Sequence, residues 1–246
     1  MLRRTVLVAL RALRQLRHDH RFLALSLVAP VLVIYLLKLF FDSVENPVFK
    51  PQQFVVPVGA FIVHFLTYVL CMIVLVRERT AQTLARMFVN GFRRSEIIGG
   101  YLLAYSTLAT AQSLLVLVEL NWLFDLAFDT SRFVSMYLVM WLLATISMAL
   151  GIFVSNFALN EGQIFPFIPL VTLPSIFLSG VVVSVEKLPE WAQLLGRLTP
   201  LFYANRMVQA LLAGGGLSDD WGSLAALPVY GGVVLLLATL TLREVD

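Results

Sequence analysis

The sequence predicts an all-α membrane protein of six transmembrane helices with both termini cytoplasmic, and three observations predict it. Hydrophobic residues make up 59% of the 246 positions, charged residues only 13%, and mean hydropathy is +0.87, far from the composition of a soluble domain. Six stretches are apolar over the roughly 20 residues needed to cross hydrocarbon at about 1.5 Å per residue: Phe22–Phe41, Phe54–Val76, Ile97–Phe124, Phe133–Val154, Ile164–Val185 and Leu224–Leu242. They are continuously apolar rather than alternating, so helices and not barrel strands must satisfy the backbone in lipid. The third observation is charge asymmetry. With both ends inside, the inner segments hold Arg3, Arg4, Arg11, Arg14, Arg17, Arg21, Arg77, Arg79, Arg86, Arg93, Arg94 and Arg243, and the outer ones Lys50, Arg132, Lys187, Arg197 and Arg206. Twelve against five follows the positive-inside bias.

The whole chain, 1–246, reads as one transmembrane domain. Residues 1–21 begin with an amphipathic stretch: Leu2, Val6, Ala9, Leu10, Leu13 and Leu16 share one helical face, and most of Arg3, Arg4, Arg11 and Arg14 take the other. This is the pattern of an interfacial helix lying along the cytoplasmic surface, either as an orienting anchor or as a docking element. The first span is too long for a signal-peptide core and no small-residue cleavage site follows it, so it reads as retained. Spans one and two occupy 22–76. Cys71 is the single cysteine, which excludes an intrachain disulfide and reads as a buried apolar residue.

The segment 77–96 is too polar to cross the membrane. At 100° per residue, Ala81, Leu84, Ala85, Met87, Phe88, Val89 and Phe92 fall on one arc, and Gln82, Thr83, Arg86, Asn90, Arg93 and Arg94 on the other. This predicts a cytoplasmic helix of about three turns with one apolar face. That face either rests in the headgroups or anchors a protein interface, for which phenylalanine and methionine are suited.

Spans three to five cover 97–185. The third is long, and the fifth carries Pro166, Pro169 and Pro174, each removing a backbone donor, so kinks are expected there. Phe165, Phe167 and Phe177 are read as bundle or dimer packing, or as lining of a lipophilic path. The connection 186–223 holds two amphipathic patches, Leu188–Leu198 and Leu201–Leu212, with Pro189 and Pro200 at their starts. They predict two short outer helices that re-enter the bilayer or cap the bundle. Gly214, Gly215 and Gly216 form a flexible joint before the last span, 224–242.

Ionisable residues inside spans are costly, about 2.5–3.5 kcal/mol near mid-bilayer on insertion scales. His64, Glu119 and Asn121 are therefore the candidates for a substrate path. The alternatives are a neutral His64 bonded to a neighbouring helix, and a Glu119 that, with Asn121 and Asp125, reaches the outer headgroups. Lys38 reads as snorkelling. No catalytic, metal-ligating or cofactor-binding set is expected. The chain has no G-x-x-x-x-G-K-[ST] loop, no H-E-x-x-H, no G-x-S-x-G and no Cys/His cluster. Asp125 with Asp129 is the one paired carboxylate of interest. The pI near 9.2 comes from arginines explained by membrane orientation, not by nucleic acid.

Two stretches resemble the permease subunits of type-2 ATP-binding-cassette (ABC) exporters, their drug-and-lipid branch in particular. RERTAQTLARMFVNGFRRSEIIGGYLL, from Arg77, is similar to that family's loop after the second span. Arg77, Glu78, Arg79, Thr83, Leu84, Glu96, Ile97 and Gly100 match, while Gln82 stands for the usual glycine, Gly91 for proline and Tyr101 for lysine. LSGVVVSVEKLPEWAQLLGRLTPLFYANR, from Leu178, resembles the family's outer segment through Leu178, Ser179, Gly180, Pro189, Trp191, Pro200 and Tyr203.

The resemblance implies that 77–96 is a coupling helix seated on a separate ABC ATPase subunit. Arg77, Glu78, Thr83, Leu84, Arg86, Met87, Phe88, Phe92 and Arg93 would be the contacts. It also implies two ATPase copies carrying ATP-Mg, a second and identical permease chain, and a lipophilic drug, lipid or lipid-linked cargo moved across the cytoplasmic membrane. The alternatives are an intramembrane lipid-modifying enzyme and an ATP-independent channel or scaffold subunit.

Overall fold

A computed structural model describes residues 2–43 and 51–242. Lys50, Arg243 and the side chain of Arg21, counted above for orientation, lie outside the described residues, as do both chain ends. The described residues are helical throughout, with no strand among them.

The first helix, α1 (Leu2–His18), is separated from α2 (His20–Ser43) by Asp19 alone. The Asp19 side chain accepts from the Phe22 amide at 3.0 Å and so starts the next helix. The core is built from α3 (Gln52–Thr80), α5 (Arg94–Leu123) and α6 (Thr130–Ser155), joined by the short α4 (Thr83–Val89). Small residues set their spacing. A Cβ on Gly151 of α6 would come within 2.4 Å of the Tyr68 carbonyl of α3, so those backbones touch directly, as helices in lipid favour. Tyr68, Met72, Tyr101, Met136, Met140 and Leu143 are fully buried between them.

Six helical segments are long and apolar enough to cross a membrane: Phe22–Ser43, Gln52–Thr80, Arg94–Leu123, Thr130–Ser155, Glu161–Leu178 and Leu217–Thr241. The fifth departs from the sequence reading. It comprises a 3-10 turn, Glu161–Ile164, and a helix, α7 (Phe167–Leu178), and it stops well before Val185. Gly180 adopts φ +87, a left-handed conformation open to glycine, and turns the chain out of the helix. The expected kinks also shrink. Pro166 caps α7 and Pro169 lies in its first turn, where no intrahelical donor is needed, so only Pro174 removes an interior bond.

The connection that follows holds α8 (Glu190–Gly196) and α9 (Pro200–Leu212), each opened by its proline, before α10 (Trp221–Thr241). α9 is wedged among α3, α6 and α10 and buries Leu201, Phe202, Ala204, Met207, Val208 and Leu211. Its apolar half thus meets the bundle. α9 sits near the start of α3, where Gln209 Nε2 donates to the Gln53 carbonyl at 3.3 Å, whereas α4 follows the end of α3.

Candidate functional site

α3 ends at Thr80, and the chain reverses at Gln82, which holds φ +55 in the left-handed region. Two turns of α4 follow, shorter than predicted. Gly91, at φ +76, ends them with its amide on the Phe88 carbonyl at 2.8 Å. α5 then starts at Arg94, capped by Glu96, whose Oε2 accepts from the Arg93 amide at 2.9 Å.

The N-terminal helix fastens this reversal at both ends. Thr5, Val8, Ala12 and Leu16 recur every three or four residues along α1, and Val8, Ala12 and Leu16 are buried. α1 packs along α5 over Gly100, where a Cβ would meet Val8 Cβ at 2.5 Å and the Thr5 carbonyl at 2.9 Å. Arg11 Nη2 donates to Glu78 Oε2 at 2.9 Å on the incoming side, and Nη1 to the Tyr101 hydroxyl at 3.3 Å. The Glu78 side chain is 2% exposed. Burial works against the Arg11 charge, but the hydrogen bond to Glu78 and the nearness of Tyr101 and Glu78 hold its pKa above the ordinary value. On the outgoing side, Arg4 donates to the Gly91 carbonyl, lies 4.0 Å from Glu96 and stands 5.6 Å over the Phe92 ring.

α1 therefore carries two apolar stripes. Of the face predicted to lie on a surface, Leu2, Val6, Leu10 and Leu13 are exposed, whereas Ala9 is half-buried and Leu16 is buried against the protein. The second stripe, with Arg4 and Arg11 at its edge, faces the protein and was missed. The 3–4 spacing of Thr5, Val8, Ala12 and Leu16 is the signal that could have found it. Arg79 is a further organiser that sequence reading left unassigned. Its guanidinium donates to the Ser155 and Ala158 carbonyls at 2.5 and 2.6 Å and to Asn156 Oδ1 at 3.1 Å. Asn156 Nδ2 in turn reaches the Ala238 carbonyl and Thr241 Oγ1 of α10.

The predicted partner contacts divide by exposure. Glu78, Leu84 and Met87 are buried in this chain, so they lie beneath the surface on which another subunit could sit. Thr83, Phe88 and Phe92 are half-buried. Arg77, Arg86 and Arg93 are exposed, with Arg77 bridging Glu161 at 3.0 Å. Most of the apolar arc thus anchors α4 to its own chain, but Ala81 and Val89, predicted on that arc, are exposed. Facing outward are Gln82, Arg86, Asn90, Arg93 and Val89, which is 88% exposed. A shallow groove of about 440 Å³ between α1 and α4, lined by Leu7, Arg11, Thr83, Arg86 and Met87 among others, borders that face.

The three departures of this loop from the exporter pattern each have a place in this geometry. The position of Gln82 is left-handed, which suits the glycine found there in the family. The φ of Gly91 is closed to proline, whose ring fixes φ near −65°. Tyr101 is buried and receives Arg11.

The other predicted residues are spread through the bundle. His64 is fully buried, with Nδ1 2.7 Å from Ser147 Oγ of α6 and Nε2 3.1 Å from Ser175 Oγ of α7, so it ties three helices together. Asn121 Oδ1 accepts from the Phe128 amide at 3.3 Å and shapes the turn after α5. Glu119 is half-buried with Oε2 unpartnered. None of the cavities found among the described residues joins His64 to Glu119 or Asn121. In the outer-segment motif, Gly180 turns the chain, Pro189 and Pro200 open α8 and α9, and the Tyr203 hydroxyl donates to the Arg197 carbonyl at 3.0 Å. Trp191 is 65% exposed.

The sequence profile of the ABC-2 type transporter family matches residues 3–213. The chain is 28% identical over 184 residues to the probable multidrug ABC transporter permease YbhR of Escherichia coli K12, covering 73% of this chain and 49% of that protein. It is 27% identical over 174 residues to ABC transporter G family member 20 of Dictyostelium discoideum, covering 70% of this chain and 24% of that protein. The chain thus spans about half the length of the bacterial relative. Most of its length, from α1 through α9, falls within the match, and the chain belongs to the ABC-2 type transporter family.

Proposed function

We propose that this chain is the membrane-spanning permease of an ATP-driven exporter. It moves a lipophilic drug, lipid or lipid-linked molecule out of the cytoplasm, using ATP-Mg hydrolysed on a separate ABC ATPase subunit. Two ATPase copies and a second, identical permease chain complete the assembly in the cytoplasmic membrane. The observation that carries this reading is the α3–α4–α5 reversal. Its outward face, Gln82, Arg86, Val89, Asn90 and Arg93, is presented on a rigid base held by Arg4 and Arg11. A partner that closes on ATP can push on such a face and have the displacement reach α3, α5 and α1 together, because a docked element transmits force only if its own seat does not yield.

The test is association. An adjacent reading frame encoding an ATPase with a phosphate-binding loop is co-expressed with this chain. Arg86→Glu and Val89→Asp, both at exposed positions, are expected to abolish copurification and permease-stimulated ATP hydrolysis while membrane insertion and melting stay unchanged. Full copurification of both variants would remove α4 as the docking element.

A further inference from the structure

At the end of the bundle away from α4, the turn after α7 and helix α9 enclose a cleft of about 730 Å³, a size that takes a drug-sized molecule. Its floor carries two oxygens without a partner. Asn205 is 3% exposed and Ser179 fully buried. Asn205 Nδ2 donates to the Ser179 carbonyl at 2.9 Å, which fixes the orientation of the amide. Asn205 Oδ1 and Ser179 Oγ then have no hydrogen-bond partner. A buried polar group left in that state carries a desolvation penalty that a donor from a ligand would relieve.

The walls add a sign to this need. Among the described residues, Glu186, Asp219 and Asp220 line the cleft against one cation, Arg206, and that guanidinium is already engaged by Asp220 at 3.1 Å. The cleft therefore presents surplus negative charge above an acceptor that lacks a donor. An anion is repelled, and a carbonyl compound offers Asn205 Oδ1 nothing. A quaternary cation satisfies the charge but not the hydrogen bond. The group that answers both is an amine carrying its own N–H donors.

We propose that this cleft binds an aliphatic primary or secondary ammonium group, whose N–H donors reach Asn205 Oδ1 and Ser179 Oγ and whose charge is matched by the Glu186 and Asp219 carboxylates, Asp220 being paired with Arg206. The two oxygens are closed to solvent but belong to residues that line the cleft, so the donor enters with a shift of the Gly180–Ser184 turn, a kind of adjustment common on binding. The site lies at the opposite end of α3 from α4. It does not depend on the ATPase reading and is measured without ATPase or nucleotide.

The experiment is a fluorescence titration of the full chain, in nanodiscs of phosphatidylcholine alone, with dansylcadaverine, whose primary amine is charged at neutral pH. Saturable binding is expected. The N-acetylated probe, which loses the charge, and the trimethylammonium probe, which loses the donors, should each bind at least about tenfold more weakly, since a hydrogen bond to a charged group is worth that factor or more. Asn205→Leu should weaken the parent probe by a similar factor, and Ser179→Ala severalfold. Glu186→Gln, at an exposed position, should weaken it about threefold and leave folding untouched. Absence of saturable binding, equal binding of the acetylated or quaternary probe, or unchanged affinity in both Ser179→Ala and Glu186→Gln would overturn the proposal. The last two variants decide the matter even where Asn205→Leu does not fold.

Discussion

Arg11 of the N-terminal helix reaches Glu78, 67 residues later, at 2.9 Å, and the carboxylate it meets is almost wholly buried. The pair joins α1 to the last turn of α3, at the point where the chain leaves the bundle to form α4. The other Glu78 oxygen, Oε1, has no hydrogen-bond partner, so the guanidinium on Oε2 is the main compensation for that buried charge. Removing Arg11 should therefore hurt more than removing both partners. Arg11→Met is expected to destabilise the chain by about 1–3 kcal/mol, Glu78→Gln by less, and the double variant by less than the sum. A double-mutant cycle read from thermal unfolding in detergent measures the coupling; strict additivity would show the pair to be idle.

Gln82 holds a left-handed backbone conformation without being glycine, which costs an ordinary side chain about 1 kcal/mol or more. Gln82→Gly should raise stability by up to about 1 kcal/mol, seen as a higher melting temperature with unchanged docking of the partner subunit. Gly91→Pro should do the reverse. It forces φ away from +76 and removes the amide that caps α4 on the Phe88 carbonyl. A stabilised Gly91→Pro variant would mean that the turn has another form in the assembled protein.

Gly100 is where α1 lies closest to α5. Any Cβ there meets Val8 and the Thr5 backbone, and the backbone contact cannot be relieved by a rotamer change. Gly100→Val should lift α1 from its seat at a cost of about 1–3 kcal/mol, leaving α1 open to limited proteolysis in intact membranes. Protection equal to that of the parent chain would show that the helices separate without strain.

His64 bonds Ser147 and Ser175 across three helices and is fully buried. Both serines also bond carbonyls of their own helices, at Leu143 and Val171. They keep those partners when the ring is lost. His64→Leu is expected to lower stability by about 1–2 kcal/mol while substrate-stimulated ATP hydrolysis of the reconstituted pair, per folded molecule, stays as it was. Lost stimulation at unchanged melting would return His64 to the substrate path.

Much of the fold was legible in the sequence, because twenty-residue apolar runs carry their own boundary conditions. Pro189 and Pro200 announced α8 and α9, and the polar segment after Val76 announced the reversal at α4. The direction in which α4 faces was less legible. Periodicity showed that Leu84, Met87, Phe88 and Phe92 share an arc, but an apolar arc says only that something covers it. Here the cover is the chain's own core, with α3 and α1 beside α4. The ties of Arg4 and Arg11 were hidden for a related reason. In a helix rich in arginine, the positive-inside bias accounts for every one of them, and the two with carboxylate partners are distinguished only by contacts distant in sequence. The early stop of α7 was hidden because Val181, Val182 and Val183 prolong the apolar run past Gly180, whose backbone conformation decides where the helix ends.

That early stop has a consequence for the lipid itself. The span that ends there, Glu161–Leu178, has 18 residues and rises about 27 Å as a helix, at the short end of what crosses the roughly 30 Å of a typical hydrocarbon layer. A helix that falls short is matched by thinning of the bilayer around it. With Leu170, Leu173 and Phe177 turned outward, the membrane beside α7 is expected to be dimpled. A molecule leaving by that flank would then have a shorter oily distance to travel than one crossing beside the longer helices α3 and α5.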